Sequence, residues 1–388
     1  MYVRQTETLG TVATGSQDPL CGQTSLDIAF FGPSLICACR NGVATYYRGI
    51  ARALAQCGHV ITFYEPDASG QQVHRDIDDP PWARTVVYPA RDESGPLQAL
   101  ESARRADVIV KASAVGAHDA LLEREVLALR RAGNVVIFWD IDAQATLERV
   151  TRDAHDAFHH LIPRYDLIFT RGGGQPVIDA YTALGARRCV PVYDALDPQA
   201  HHPVMPDPRF AGALGFLGDR LPECEARVRE LFFEAARLLS HESFLLGGDG
   251  WDEYAGVLPN VRLPGRVRSR DQNAFYCSPR AVLDINCAGM TRTGCSPPAR
   301  LFEAAGAGAC LIVEAREGIE GFFEPGREIL VARSGAEVAA HLSGLSGTAA
   351  AGLGHAARRR ALAGHTYMHR ARQIEAVLQG RDSKAVAA

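Results

Sequence analysis

From Leu26 onward the chain switches repeatedly between short apolar runs, rich in β-branched and aromatic residues, and longer amphipathic stretches. That alternation is the pattern of a parallel sheet with helical crossovers, because parallel neighbours can be joined only by a long return. LDIAFFG predicts a buried strand ending at Gly32. A loop through Asn41 and Gly42 leads into TYYRGIARALAQCG, a predicted helix closed by Gly58, and then into the strand HVITFYEP. ADVIVKAS, NVVIFWDID, YDLIFTRGGG and RCVPVYDALDP complete six such units, enough for one doubly wound domain.

Residues 196 to 208, LDPQAHHPVMPDP, break the series with four prolines in thirteen positions, which neither a helix nor a central strand tolerates. A second series then begins: LGFLGDR, SFLLGGDGW, NVRLPGRV, AVLDINC, ACLIVEA and EILVA as strands with helices between them. The expectation is an α/β chain with a loose tail over 1–25, an N-terminal domain over 26–200, a C-terminal domain over 201–365, and a closing helix and tail over 366–388. Two such domains facing each other leave a cleft at the C-terminal edges of both sheets, where ligands of these folds bind.

Length agrees with two domains, since 388 residues exceed one ordinary core. The net charge of −4, from 41 Lys plus Arg against 45 Asp plus Glu, supplies no basic field for a nucleic acid. The first 25 residues lack the apolar core of a signal peptide, and no stretch reaches the ~18 apolar residues of a membrane span, so a cytoplasmic protein is expected. Ten scattered cysteines without a CxxC pair are expected to be reduced thiols. The pairs His159/His160 and His201/His202 do not make a metal site: neighbours on a helix diverge, and the second pair lies in the proline-rich linker. Neither a metal nor a tightly bound cofactor is expected, and the pattern carries no signal for an oligomeric state.

The strongest site signal is SPPARLFEAAGAGACLIVEA, residues 296 to 315. Ser296 is placed to cap a helix and Pro297 to open it, so the free N–H groups of the first turn would attract an anion such as a diphosphate. Each dipole contribution is only about 0.3 to 1 kcal/mol, so a cationic partner is wanted, and Arg300 stands in the first turns beside Leu301. Glu303, one turn further on the same face, could accept both hydroxyls of a ribose. The plainer alternative is a surface ion pair between Arg300 and Glu303. The run AAGAGA after Glu303 favours the ligand reading, because small residues let this helix pack tightly on the next strand.

RLFEAAGAGACLIVEAREGIEGFFEPGREILVA, together with NGVATYYRG, FWDIDAQATLERV and HTYMHRA, resembles the CgeB-type glycosyltransferases over about residues 26 to 378. That group is related to the large glycosyltransferase group 1 family. The resemblance implies a GT-B fold of two Rossmann-like domains and transfer of a sugar from a nucleoside diphosphate donor, a UDP-sugar, to a small-molecule, glycan or protein acceptor. It also implies that Glu303 binds the nucleotide ribose. The loop Gly265, Arg266 and Val267 would meet the base, and Gly218 and Arg220 in LGFLGDR would lie near the phosphates. Retaining members of the larger family carry another glutamate eight positions before the ribose-binding one, and here that position is Cys295. Stereochemistry is therefore left open, and so are two rivals: an epimerase or hydrolase on the same fold, and a non-catalytic sugar-nucleotide-binding protein.

In the first domain the loop of Asn41 and Gly42, with Tyr46, Tyr47 and Arg48 behind it, either approaches a phosphate or sugar or is an ordinary turn with tyrosines packed on the sheet. Asp140 and Asp142 follow the strand VVIFW. Asp140 is the candidate base for an acceptor hydroxyl, while Asp142 is equally suited to cap the helix ATLERV. His118 is a cleft candidate by its place after a strand. RGGGQP, residues 171 to 176, lacks the Lys-Ser/Thr ending of a P-loop, so its Gly173 is read as shaping the acceptor pocket or a tight turn.

Overall fold

The structure is a computed structural model that describes residues 25–37, 42–67, 75, 77–153, 155–286 and 296–380. Asn41 and Cys295, both singled out above, lie outside the described residues.

The first domain alternates strands and helices in the order β1 (Asp27–Phe31), α1 (Gly42–Gln56), β2 (Val60–Asp67), β3 (Arg84–Pro89), α2 (Ser94–Ser102), β4 (Val108–Ala112), α3 (Asp119–Glu125), β5 (Val135–Asp140), α4 (Ala143–Arg152), β6 (Leu167–Thr170), α5 (Gly174–Ala183) and β7 (Cys189–Pro191). All seven strands are parallel, in the order β3-β2-β1-β4-β5-β6-β7. Six were expected. The extra one, β3 with the sequence RTVVYP, pairs only with β2 at the edge and is largely half-exposed or exposed, so it lacks the continuous apolar run of a buried strand.

The second domain comprises β8 (Gly212–Leu217), α6 (Pro222–Val228), α7 (Glu234–Leu238), β9 (Phe244–Gly247), β10 (Val261–Gly265), α8 (Ser269–Cys277), β11 (Pro279–Asp284), α9 (Ala299–Ala307), β12 (Leu311–Glu314), β13 (Leu330–Ala332), α10 (Gly335–Gly344), α11 (Gly347–Gly364) and α12 (Tyr367–Leu378). Its six parallel strands run β10-β9-β8-β11-β12-β13. In each sheet the order reverses beside the first strand of the domain, between β1 and β4 and between β8 and β11. In doubly wound folds, such reversals, beyond the carboxyl ends of the strands, are where ligands bind.

Each sheet is covered on both faces. Ile28, Phe30, Tyr46, Tyr47 and Trp139 anchor one core of the first domain, and Phe31, Tyr64, Phe138 and Tyr165 the other. Leu214, Phe232 and Ile312 do so on one side of the second sheet, and Leu301, Phe302 and Val313 on the opposite side. The last helix does not stay with the second domain. α12 crosses back, and its Tyr367, Ala371 and Ile374 join the core under α1. Gly49 permits this crossing, since a Cβ there would meet the Tyr367 ring at 2.4 Å.

Cys37, Cys57, Cys189, Cys277 and Cys310 are not in disulfides. Cys224 is disulfide-bonded, which corrects the expectation of uniformly reduced cysteines. No helix among the described residues is long and apolar enough to cross a membrane.

Candidate functional site

The C-terminal edge of the second sheet gathers charge where β11 and β12 end. Asp284, buried, accepts from the Nε of Arg300 at 2.9 Å on one oxygen and from Arg316 on the other; Arg300 also donates to the carbonyl of Ile285. One carboxylate thus serves two guanidiniums. Beside it, Arg227 donates to Glu314 at 2.7 Å, and the second oxygen of Glu314 accepts from the backbone N–H of Asn286 at 2.8 Å. Two groups at this edge are unsatisfied among the described residues: the Nε and Nη1 donors of Arg316 and the side-chain oxygen of Asn286. Both side chains are enclosed, Arg316 at 4% exposure and Asn286 at 4%.

α9 rises from this edge, though not from the residue the sequence suggests. Its N-cap is Pro298, in extended geometry and with no side-chain cap, and the helix opens at Ala299. The tandem prolines explain the shift. Pro298 disfavours helical dihedrals at Pro297 and so pushes the start beyond both. Ser296, freed from capping, accepts the backbone N–H of Gly173 at 2.9 Å from the first domain. A Cβ on the adjacent Gly172 would meet Ser296 Oγ at 2.2 Å, so this approach requires glycine. Tyr193, just after β7, and Phe322 add an edge-to-face ring contact at 4.9 Å between the first and second domains.

Glu303, one turn above Arg300, lies beside the linker at 15% exposure. It accepts from the hydroxyl of Tyr276 at 3.3 Å and stands 3.8 Å from Nε2 of His201. The surface Arg300–Glu303 pair weighed above does not form, because Arg300 turns to Asp284. Leu301, offered as a donor-side residue, is instead fully buried in the core beneath α9, where only its backbone could meet a ligand. Arg220 is bracketed by Glu225 at 2.9 Å and Glu253 at 2.8 Å and lies over the Tyr254 ring, so its charge is already compensated. Gly218 donates to Gly247 O at 2.9 Å and accepts from the Trp251 indole at 2.7 Å, which ties the β8 and β9 ends together. Gly265 ends β10 with φ 70 and accepts from Gly248, Val267 packs inward on the core, and Arg266 is exposed, 3.9 Å from Asp249.

In the first domain Asp140 is fully buried and already engaged. It accepts from Tyr181 at 2.5 Å, from Thr146 at 3.1 Å and from the N–H of Asp142 at 3.1 Å. Burial raises its pKa and these donors pull it back, so it orders the β5–α4 corner and cannot reach an acceptor hydroxyl. That corrects its candidacy as base. Asp142 caps α4 by accepting the N–H of Ala145 at 3.1 Å. Tyr46 and Tyr47 are core residues, the first donating to Val192 O at 2.7 Å, and Arg48 donates to Leu35 O at 2.6 Å. The tyrosines thus pack on the sheet, while the loop through Asn41 lies outside the described residues. Gly42 opens α1, and Gly173, with φ 90, is the N-cap of α5.

His118 caps α3 in a left-handed conformation, φ 59, with Nε2 3.2 Å from the carbonyl oxygen of Ala90. Ala114 in the same β4–α3 loop also has positive φ, 57, so the loop holds two strained non-glycine residues. Behind it the fully buried Lys111 pairs with Asp119. Glu123, 3.8 Å from Arg149, has its pKa pushed up to about 7, chiefly by burial. The folded state therefore prefers this acid neutral. Its contribution to stability is complete below the unfolded value of 4.5 and is lost as pH rises through about 7. Glu123→Gln is expected to leave stability nearly unchanged at pH 4 and to raise it at pH 8 by about 3 kcal/mol, measured by urea unfolding at both pH values.

Arg171, after β6, and Asp194, after β7, form a partner pair that sequence reasoning missed, with two bonds of 3.0 Å each. A cavity of about 260 Å³ is walled by Arg52 of α1, Asp197 of the linker and Met368 of α12.

Residues 227–376, which include α8, α9 and β11 to β13, match the model of a family described as glycosyl transferase-like. No curated protein matches the chain significantly. Among solved structures, HepE from Anabaena in complex with UDP superposes with a TM-score of 0.64 at 15% identity, covering 92% of this chain and 100% of that chain. The fold is GT-B. Sucrose-phosphate synthase from Thermosynechococcus elongatus superposes at 0.62 with 14% identity, covering 92% of this chain and 98% of that chain. The β-glucosyltransferase of T4 phage does so at 0.57 with 9% identity, covering 91% and 99%. This GT-B chain therefore carries Glu303, Arg300 and Arg316 on the domain that the family model matches.

Proposed function

We propose that the chain is a CgeB-type glycosyltransferase that moves a sugar from a UDP-sugar to an acceptor held by the first domain. One observation carries the reading. The carboxylate of Glu303, enclosed but not sealed, stands one helical turn from an uncapped N-terminus, and that turn leads to two guanidiniums sharing a single carboxylate. A ribose hydroxyl pair suits the first element, and a diphosphate suits the second through helix dipole and cationic charge. The UDP in the HepE complex, and the UDP-glucose in another complex of the same protein, support uridine as the base. Donor binding in this reading needs no metal, because arginine and the helix end carry the compensation. A cytoplasmic setting is part of the same proposal.

Thermal unfolding with nucleotides tests the reading directly. UDP at a hundred times its dissociation constant should stabilise the chain by about 2.7 kcal/mol, with ADP and GDP giving much less at equal concentration. Release of UDP from a UDP-sugar should then depend on added acceptor. Absence of any shift with uridine nucleotides overturns the proposal, and acceptor-independent release assigns the chain to hydrolysis.

A further inference from the structure

We infer that Arg316 is the innermost anion-binding group of this cleft and that, with Asn286, it receives acidic oxygens of the donor beyond its first phosphate. The inference rests on the donor-binding reading and extends it to a residue no comparison assigns.

The argument begins with charge. A guanidinium stays protonated at any accessible pH, so an enclosed arginine needs anionic or carbonyl partners for its donors. Arg316 has one, the Asp284 oxygen, while its Nε and Nη1 have none among the described residues. Asp284 spends its other oxygen on Arg300, so it has no second oxygen for the remaining donors of Arg316. The neighbouring Glu314 does not partner Arg316, because its oxygens accept from Arg227, which Glu230 also holds, and from the N–H of Asn286. A buried donor without a partner costs about 1 to 3 kcal/mol, more when charged, and such a cost persists where a ligand removes it.

Position gives the ligand's order. Glu303 lies one turn along α9 from Arg300, Arg300 touches Asp284, and Asp284 touches Arg316. A donor with its ribose on Glu303 and its first phosphate at the α9 N-terminus would extend towards Arg316. What arrives there is the second phosphate or a carboxylate on the sugar. The unpaired oxygen of Asn286, at the end of the adjacent strand, can accept from a sugar hydroxyl. Donors for an anion beside an acceptor for a hydroxyl match a glycosyl phosphate better than a bare inorganic ion.

Calorimetric titration of the full chain and of Arg316→Gln with UMP, UDP, UDP-glucose, UDP-glucuronate and inorganic pyrophosphate tests this. UDP and pyrophosphate should weaken by about tenfold or more in the variant while UMP stays within about twofold, and Arg316→Lys should recover part of the loss. Equal losses for UDP and UDP-glucuronate assign the contact to the second phosphate; a larger loss for UDP-glucuronate assigns it to a sugar carboxylate. Equal weakening of UMP and UDP, or no change in a variant with an unaltered circular dichroism melt, overturns the inference while leaving the uridine reading intact. Arg316-dependent binding of pyrophosphate without any uridine nucleotide binding has the opposite meaning. Arg316→Lys, which keeps the charge and the contact to Asp284, provides the same readouts if the glutamine variant does not fold.

Discussion

Arg171→Met is expected to destabilise the folded chain by about 3 to 5 kcal/mol, the cost of stranding a buried carboxylate by removing its partner. Asp194 is 2% exposed and takes two bonds of 3.0 Å from Arg171. The guanidinium also lies over the Tyr46 ring, 5.3 Å from its centroid, so methionine keeps some packing but neither the charge nor the fork. Burial raises the Asp194 pKa and Arg171 holds it down; without Arg171 the acid moves higher still. A folded pKa above the unfolded one makes the variant's penalty larger at neutral pH and smaller in acid, as pH falls towards the unfolded value of 3.8. Urea unfolding at pH 7 and pH 4 measures both the loss and its relief. A cost below about 1 kcal/mol at pH 7 would place the pair with exposed ion pairs and deprive the segment after β7 of its anchor on β6.

The architecture was legible because parallel sheets write themselves as repeated apolar runs, and the linker because prolines exclude regular structure. The edge strand β3 escaped for the converse reason: with one neighbour and little burial, RTVVYP needs no continuous apolar stretch. Site residues were legible only when their partners were local. Asp142 reaches the N–H of Ala145, three residues on, and spacing alone suggests it. Asp140 carries the same local signature, yet Tyr181, 41 residues later, folds over it and closes it off. Ser296 is recruited by Gly173 and Arg300 by Asp284, partners that only the folded chain brings near. Arg316 gave one faint signal, its place two residues after the strand LIVE, where side chains leave a parallel sheet at its ligand-binding edge. Its unsatisfied donors are a property of enclosure, which no window of sequence contains.

Glu303→Ala is expected to weaken UDP by about 1.5 to 3 kcal/mol, roughly 10- to 150-fold in Kd, while leaving inorganic pyrophosphate unaffected. The difference follows from what the carboxylate touches. Tyr276 holds it at 3.3 Å and His201 stands at 3.8 Å, so it is oriented before any ligand arrives and loses little rotamer freedom on binding. Its link to the phosphate-facing groups runs only along the helix, since Arg300 turns away to Asp284. Glu303→Gln should fall between, keeping an oxygen for one hydroxyl but presenting a donor to the other. Alanine also leaves the buried Tyr276 hydroxyl without its acceptor, a loss of about 1 to 3 kcal/mol in stability, so affinity must be read by calorimetry well below the melting temperature. A parallel loss of UDP and pyrophosphate would mean that the substitution disturbs α9 itself rather than a ribose contact. Unchanged UDP affinity in a folded variant would remove Glu303 from the site, and with it the direction in which the donor is laid along the cleft.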